Sequence, residues 1–165
     1  MNVVRKEKRP SPEKLSRMVY NLGNRVVNNY LVSLDDGGYV LIDTGYSESY
    51  PAFRNRLEKT GVSLKEIKYI FLTHAHDDHA GFMNEVLAIT NAKVILHPRA
   101  IEGLKKGQNS FEGGCSSRLA WLFCQILATF GKGEHKYPRL KEEYLDRTTF
   151  QTIVVIYQRV FGCSP

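Results

Sequence analysis

Thr73-His74-Ala75-His76-Asp77-Asp78-His79-Ala80-Gly81 is the stretch on which the reading of this chain turns. Three of the five histidines and two adjacent carboxylates fall within six positions. Imidazole and carboxylate are the donors that borderline divalent ions such as zinc accept. His74 and His76 are two residues apart, so at the end of an extended segment they project to the same side and can grip one ion. Asp78 and His79 follow a turn at the start of a helix and can face the same cavity from another angle, holding a second ion. The other reading is a surface helix cap formed by Asp77 or Asp78. Caps need one Asp or Ser, though, and no histidines with it. Binding requires neutral imidazole, so metal affinity should fall below about pH 6.

The elements around this run alternate. Lys68 to Leu72 reads as a buried strand leading into it, and a helix is expected from about Asp78 to Ile89, with Phe82, Met83, Val86 and Leu87 as its buried stripe. Upstream, Arg17–Leu22, Val26–Leu34 and Tyr39–Ile42 read as strands, the last two joined by the turn Asp35-Asp36-Gly37-Gly38. A helix follows from about Ser49 to Lys59, tolerating Pro51 in its first turn and stopped by Gly61. Downstream come a strand over Ala92–Leu96 and a short helix over Pro98–Lys106. After the loop at Gly107–Gly114, an apolar helix runs from Cys115 to Phe130. The polar stretch Gly131–Arg147 resists assignment, and Thr152–Val160 reads as a final strand. Alternating strands and helices predict an α/β layered fold.

At 165 residues the chain can hold a real core, and its 42% hydrophobic and 24% charged composition is that of an ordinary globular protein. It is read as a basic tail over 1–14 and one domain over 15–165, atypical after about 148. The net charge of +6 favours anionic partners, but part of it sits in that tail (Arg5, Lys6, Lys8, Arg9, Lys14), which reads as a solvated segment. No aromatic-basic platform or helix-turn-helix pattern points to nucleic acid. Cys115, Cys124 and Cys163 are odd in number and widely spaced, with no CxxC pair, and the N-terminus has no apolar signal core. Both features predict a reduced, cytoplasmic setting. The apolar run Leu119–Phe130 is shorter than the ~18 residues a membrane span needs.

His74-Ala75-His76-Asp77-Asp78-His79 resembles the His-x-His-x-Asp-His motif of the metallo-β-lactamase fold superfamily, and Leu41-Ile42-Asp43-Thr44-Gly45 looks like that family's first motif. The resemblance covers about Met18 to Pro98 well, weakens beyond Lys106 and is lost after Arg147. It implies the N-terminal part of an αββα sandwich. It also implies two zinc ions, the first held by His74 and His76, the second by Asp78 and His79, with Asp78 also orienting the attacking water. Asp43 would steady the histidine loop, or else be a plain turn residue at a strand end. The implied activity is hydrolysis by metal-bound hydroxide of an ester, thioester, lactone or phosphodiester in a small-molecule substrate. By analogy, the apolar helix around Trp121 would lie where many members build a substrate lid, which favours an acyl or lipid-like substrate, whereas the positive charge favours a phosphodiester.

Three ligands that family members carry downstream are not found. The usual Gly-His-Thr-x-Gly-His stretch is absent, and only His97 and His135 remain, neither in a supporting motif. A truncated product of the family is therefore expected, with weakened metal binding unless another chain completes the site. A non-catalytic metal-binding or interaction module is the competing class. An uncovered sheet face would favour a homodimer, or pairing with a complete relative.

Overall fold

The computed structural model of the protein describes residues 18–109, 126 and 136–149. Six strands form one sheet in strictly sequential order: β1 (Val19–Asn21), β2 (Tyr30–Ser33), β3 (Tyr39–Ile42), β4 (Ile67–Phe71), β5 (Lys93–Ile95) and β6 (Thr148–Thr149). β1, β2 and β3 are antiparallel neighbours, whereas β3, β4, β5 and β6 run parallel. The turn expected at 35–38 closes the β2–β3 hairpin, with Gly37 and Gly38 at φ 80° and 77°. Only glycine reaches such angles without strain.

Helices fill the crossovers. α1 (Tyr50–Lys59) joins β3 to β4; it carries Pro51 in its first turn and stops before Gly61 at φ 77°. Two pieces join β4 to β5, α2 (Asp77–Ala80) and α3 (Met83–Ile89). α4 (Ala100–Lys106) follows β5, and α5 (Glu142–Leu145) precedes β6. A βαβ crossover is right-handed almost without exception. With parallel strands added in chain order, each crossover helix must land on the same side of the sheet. The core shows this: Phe53 and Leu57 of α1 and Met83, Val86 and Leu87 of α3 pack in one cluster with Leu31, Leu41, Ile70 and Val94 of the sheet.

The opposite face is apolar as well. Register aligns Val32, Val40 and Tyr69 in one row and Ile42, Phe71 and Ile95 in the next. These residues form a separate cluster with Leu34. A sheet apolar on both faces belongs in a layered sandwich. The described residues thus build one sheet and the helical layer on one side of it.

Three expectations shift in detail. The strand expected over 26–34 begins only at Tyr30, because the side chain of Asn24 accepts the N–H groups of Val26 and Val27 and turns the chain. The helix expected over 78–89 breaks at Gly81 and Phe82, where Phe82 turns into the core against Tyr50 and Phe53 with ring centroids 5.5 and 4.9 Å away. The unassigned stretch 131–147 contains α5 and leads into β6. The apolar helix over 115–130, the strand over 152–160, His135 and the three cysteines lie outside the described residues.

Candidate metal centre

The site forms where the parallel strands end, the position at which open α/β sheets present loops for chemistry. β3 delivers Asp43-Thr44-Gly45 and β4 delivers the histidine run. The two loops are bonded to each other. The backbone N–H of Thr44 donates to the His79 carbonyl at 2.7 Å, and its hydroxyl donates to the same oxygen at 2.8 Å. The Ser47 hydroxyl donates to the Gly81 carbonyl at 2.9 Å.

Gly81 is the close-approach point. A Cβ there would come within 2.5 Å of the Gly45 carbonyl oxygen and 2.5 Å of the Ser47 nitrogen, both backbone atoms that cannot swing aside. Gly81→Ala is therefore expected to push the two loops apart and destabilise the chain by about 1–3 kcal/mol, as overpacking does. Urea denaturation measures it, and an unchanged midpoint would contradict the packing.

Asp43 is 5% exposed and sits at φ 57°, a left-handed conformation that Asp tolerates better than most residues. Its carboxylate accepts the Thr73 N–H at 2.8 Å, the Thr73 hydroxyl at 2.8 and 3.0 Å, and Nδ1 of His79 at 2.9 Å. Both readings of Asp43 thus hold in the geometry: it ends a strand in a turn, and it braces the histidine loop.

His74, His76 and Asp78 converge. One ligand atom from each lies within 4.8 Å of the others. The rings of His74 and His76 are 4.5 Å apart by centroid, and those of His74 and His79 are 4.0 Å apart. Nδ1 of His74 contacts the Thr73 hydroxyl at 3.0 Å, which leaves its Nε2 for another partner. Nε2 of His79 lies 3.2 Å from Asp78 while Nδ1 is held by Asp43. A carboxylate on the far nitrogen of an imidazole is the usual way a ligating histidine is oriented. Asp78 thus lies within reach of His74 and His76 on one side and of His79 on the other.

The electrostatics fit a cation. Burial, then the neighbouring His79 and His76, push the His74 pKa below its ordinary value. The hydrogen bond to Asp43 raises that of His79 against the opposing effect of burial. Several imidazoles beside carboxylates make a donor set suited to zinc. His97 follows β5, and its Nδ1 accepts the Arg99 N–H at 3.3 Å, apart from this group. A groove of about 530 Å³ lined by Lys65, Lys68, Tyr69 and Lys93 lies at the other end of β4 and β5.

Sequence reading missed Asn109 and Tyr137. The Asn109 side chain bonds to Asp77, and the Tyr137 hydroxyl donates to the Ala75 carbonyl at 3.0 Å. Both lie in stretches read as loop or left unassigned, and no local pattern marks them.

Known proteins resemble this chain in sequence and fold. The probable metallo-hydrolase YflN of Bacillus subtilis (strain 168) is 31% identical over 113 residues, which is 64% of this chain and 43% of that protein. The chain thus spans less than half the length of that curated relative. Among solved structures, a Cronobacter sakazakii (Enterobacter sakazakii) metallo-beta-lactamase described as a HARLDQ motif mutant aligns with TM-score 0.57 and 26% identity, over 74% of this chain and 42% of that one. The Rm3 metallo-beta-lactamase aligns with TM-score 0.58 and 25% identity, over 80% of this chain and 41% of that one. The family model described as the metallo-beta-lactamase superfamily matches residues 22–158. That match extends past Arg147, where the resemblance had faded from the sequence. The chain belongs to the metallo-beta-lactamase superfamily.

Proposed function

We propose that this chain acts as a zinc-dependent hydrolase on small esters, thioesters, lactones or phosphodiesters, with small esters or thioesters foremost. The convergence of His74, His76 and Asp78 within 4.8 Å carries this reading. His74 and His76 would hold one ion, and Asp78 and His79 a second beside it. When bound, zinc supplies a Lewis acid and lets water act as a nucleophile near neutral pH. The protein's own share is orientation. Asp78 would align the attacking water through its free carboxylate oxygen. Asp43 holds Nδ1 of His79, which turns Nε2 toward Asp78 and the site. A reduced cytoplasmic setting accords with the wide spacing of the cysteines.

A second reading has its own support. The chain spans 43% of one curated relative, and the group that converges among the described residues is His74, His76 and Asp78. A non-catalytic metal-binding module, acting as a homodimer or beside a complete relative, accords with both.

Elemental analysis of protein purified without chelator, with a panel of ester, thioester, lactone, β-lactam and phosphodiester substrates, separates the two. The hydrolase should carry about one zinc or more per chain and turn over at least one substrate class, with turnover lost on adding a chelator. Zinc without turnover on any class would leave the module; no tight metal would remove the metal reading itself.

A further inference from the structure

The ligand-bearing loop is held from outside by two side chains that no motif contains. The Oδ1 of Asn109 accepts the Asp77 N–H at 2.8 Å, and its Nδ2 donates to Asp77 Oδ1 at 3.0 Å. Tyr137, 7% exposed, donates its hydroxyl to the Ala75 carbonyl at 3.0 Å. The two anchors are themselves tied together: Gln108 and Lys136 form a β-bridge, and the Tyr137 N–H donates to the Gly107 carbonyl at 3.0 Å.

Their targets are telling. Ala75 lies between His74 and His76, and Asp77 lies between His76 and Asp78. Neither target belongs to the converging group, so the anchors fix the backbone on both sides of His76 without occupying a ligand atom. There is a reason the loop needs this. His76 occupies the N-cap of α2 and makes no side-chain cap bond. A cap residue normally satisfies the free N–H groups of a first helical turn. An imidazole committed to a metal cannot. Asn109, 32 residues away, supplies an acceptor for the first N–H of that turn, the one on Asp77.

We propose that Asn109 and Tyr137 are positioning residues for the metal centre: by capping α2 and pinning Ala75, they set the directions in which His74, His76 and Asp78 leave the backbone. The proposal rests on the zinc reading above, and its test separates the two.

Asn109→Asp keeps the acceptor for the Asp77 N–H but sets a carboxylate oxygen against Asp77 Oδ1. Adding Asp77→Asn restores a donor and an acceptor in reversed order. Zinc affinity, read by competition with a chromophoric chelator, should fall roughly 10–100-fold in Asn109→Asp, the range found for groups that orient ligands, and return to within about threefold in the double variant. Tyr137→Phe should weaken zinc about tenfold. In metal-free protein, amide hydrogen exchange at Asp77 should quicken in Asn109→Ala, a readout that needs no zinc. Val62→Ala, a core change remote from the loop, controls for general loss of stability. Wild-type affinity in Asn109→Asp, failure of the double variant to recover, or an equal loss in Val62→Ala would each overturn the proposal. Failure of the unaltered chain to bind zinc would instead sink the metal reading, while the exchange rates would still report on the brace.

Discussion

His76→Ala is expected to abolish tight zinc binding while leaving the fold intact. The substitution removes the middle member of the converging group, leaving His74 and Asp78. A catalytic zinc needs about three protein ligands, and loss of one should exceed the 10–100-fold cost of disturbing a group that only orients a ligand. The fold should not notice. His76 is half-buried at the N-cap of α2, where its side chain makes no cap bond, and the anchors at Ala75 and Asp77 are backbone or neighbouring groups that survive the change. The metal-free variant should unfold within about 0.5 kcal/mol of the unaltered chain. Retained affinity in the competition assay would show that the imidazole of His76 is not a ligand.

Asp43→Ala carries the largest expected cost in stability. The carboxylate takes three donor groups: the Thr73 N–H, the Thr73 hydroxyl and Nδ1 of His79. Hydrogen bonds to a charged partner are worth about 1.5–3 kcal/mol each, and a donor left unpaired in a buried site loses its hydration as well. The Thr73 hydroxyl can turn to His74, which recovers part of the loss. Alanine is also strained at φ 57° by about 1 kcal/mol. We expect a total of about 3–5 kcal/mol, read as a lowered urea midpoint in metal-free protein.

Asp43→Asn separates charge from shape. Asparagine accepts the left-handed backbone and can still receive the Thr73 N–H. Its amide would face Nδ1 of His79 as a donor and drive the imidazole proton to Nε2, the nitrogen nearest Asp78. Zinc affinity should fall roughly 10–100-fold with little loss of stability. An Asp43→Ala protein as stable as the parent would contradict the network.

Much of this was written locally. The alternation of strand and helix from Tyr39 to Lys106 follows from short apolar runs and glycine stops, which act over a few residues. The convergence of His74, His76 and Asp78 was legible for the same reason: the three lie within five consecutive residues. Legibility failed where a side chain satisfies a distant need. The break at Gly81 and Phe82 goes with the packing of Phe82 on Tyr50 and Phe53, about thirty residues away in the chain. Strand β6 is only two residues, and its pairing with β5 gives it an identity its own sequence lacks.

The amino-acid order by itself determined the donor set and the α/β alternation, because ligand chemistry and short-range periodicity are properties of neighbouring residues. The tertiary structure alone decided that Asp43 faces both Thr73 and His79, that Gly81 must lack a side chain, and that Asn109 and Tyr137 clasp the loop. The physical reason is that buried donors and acceptors must find partners wherever the fold brings them, and sequence separation places no limit on which residue answers.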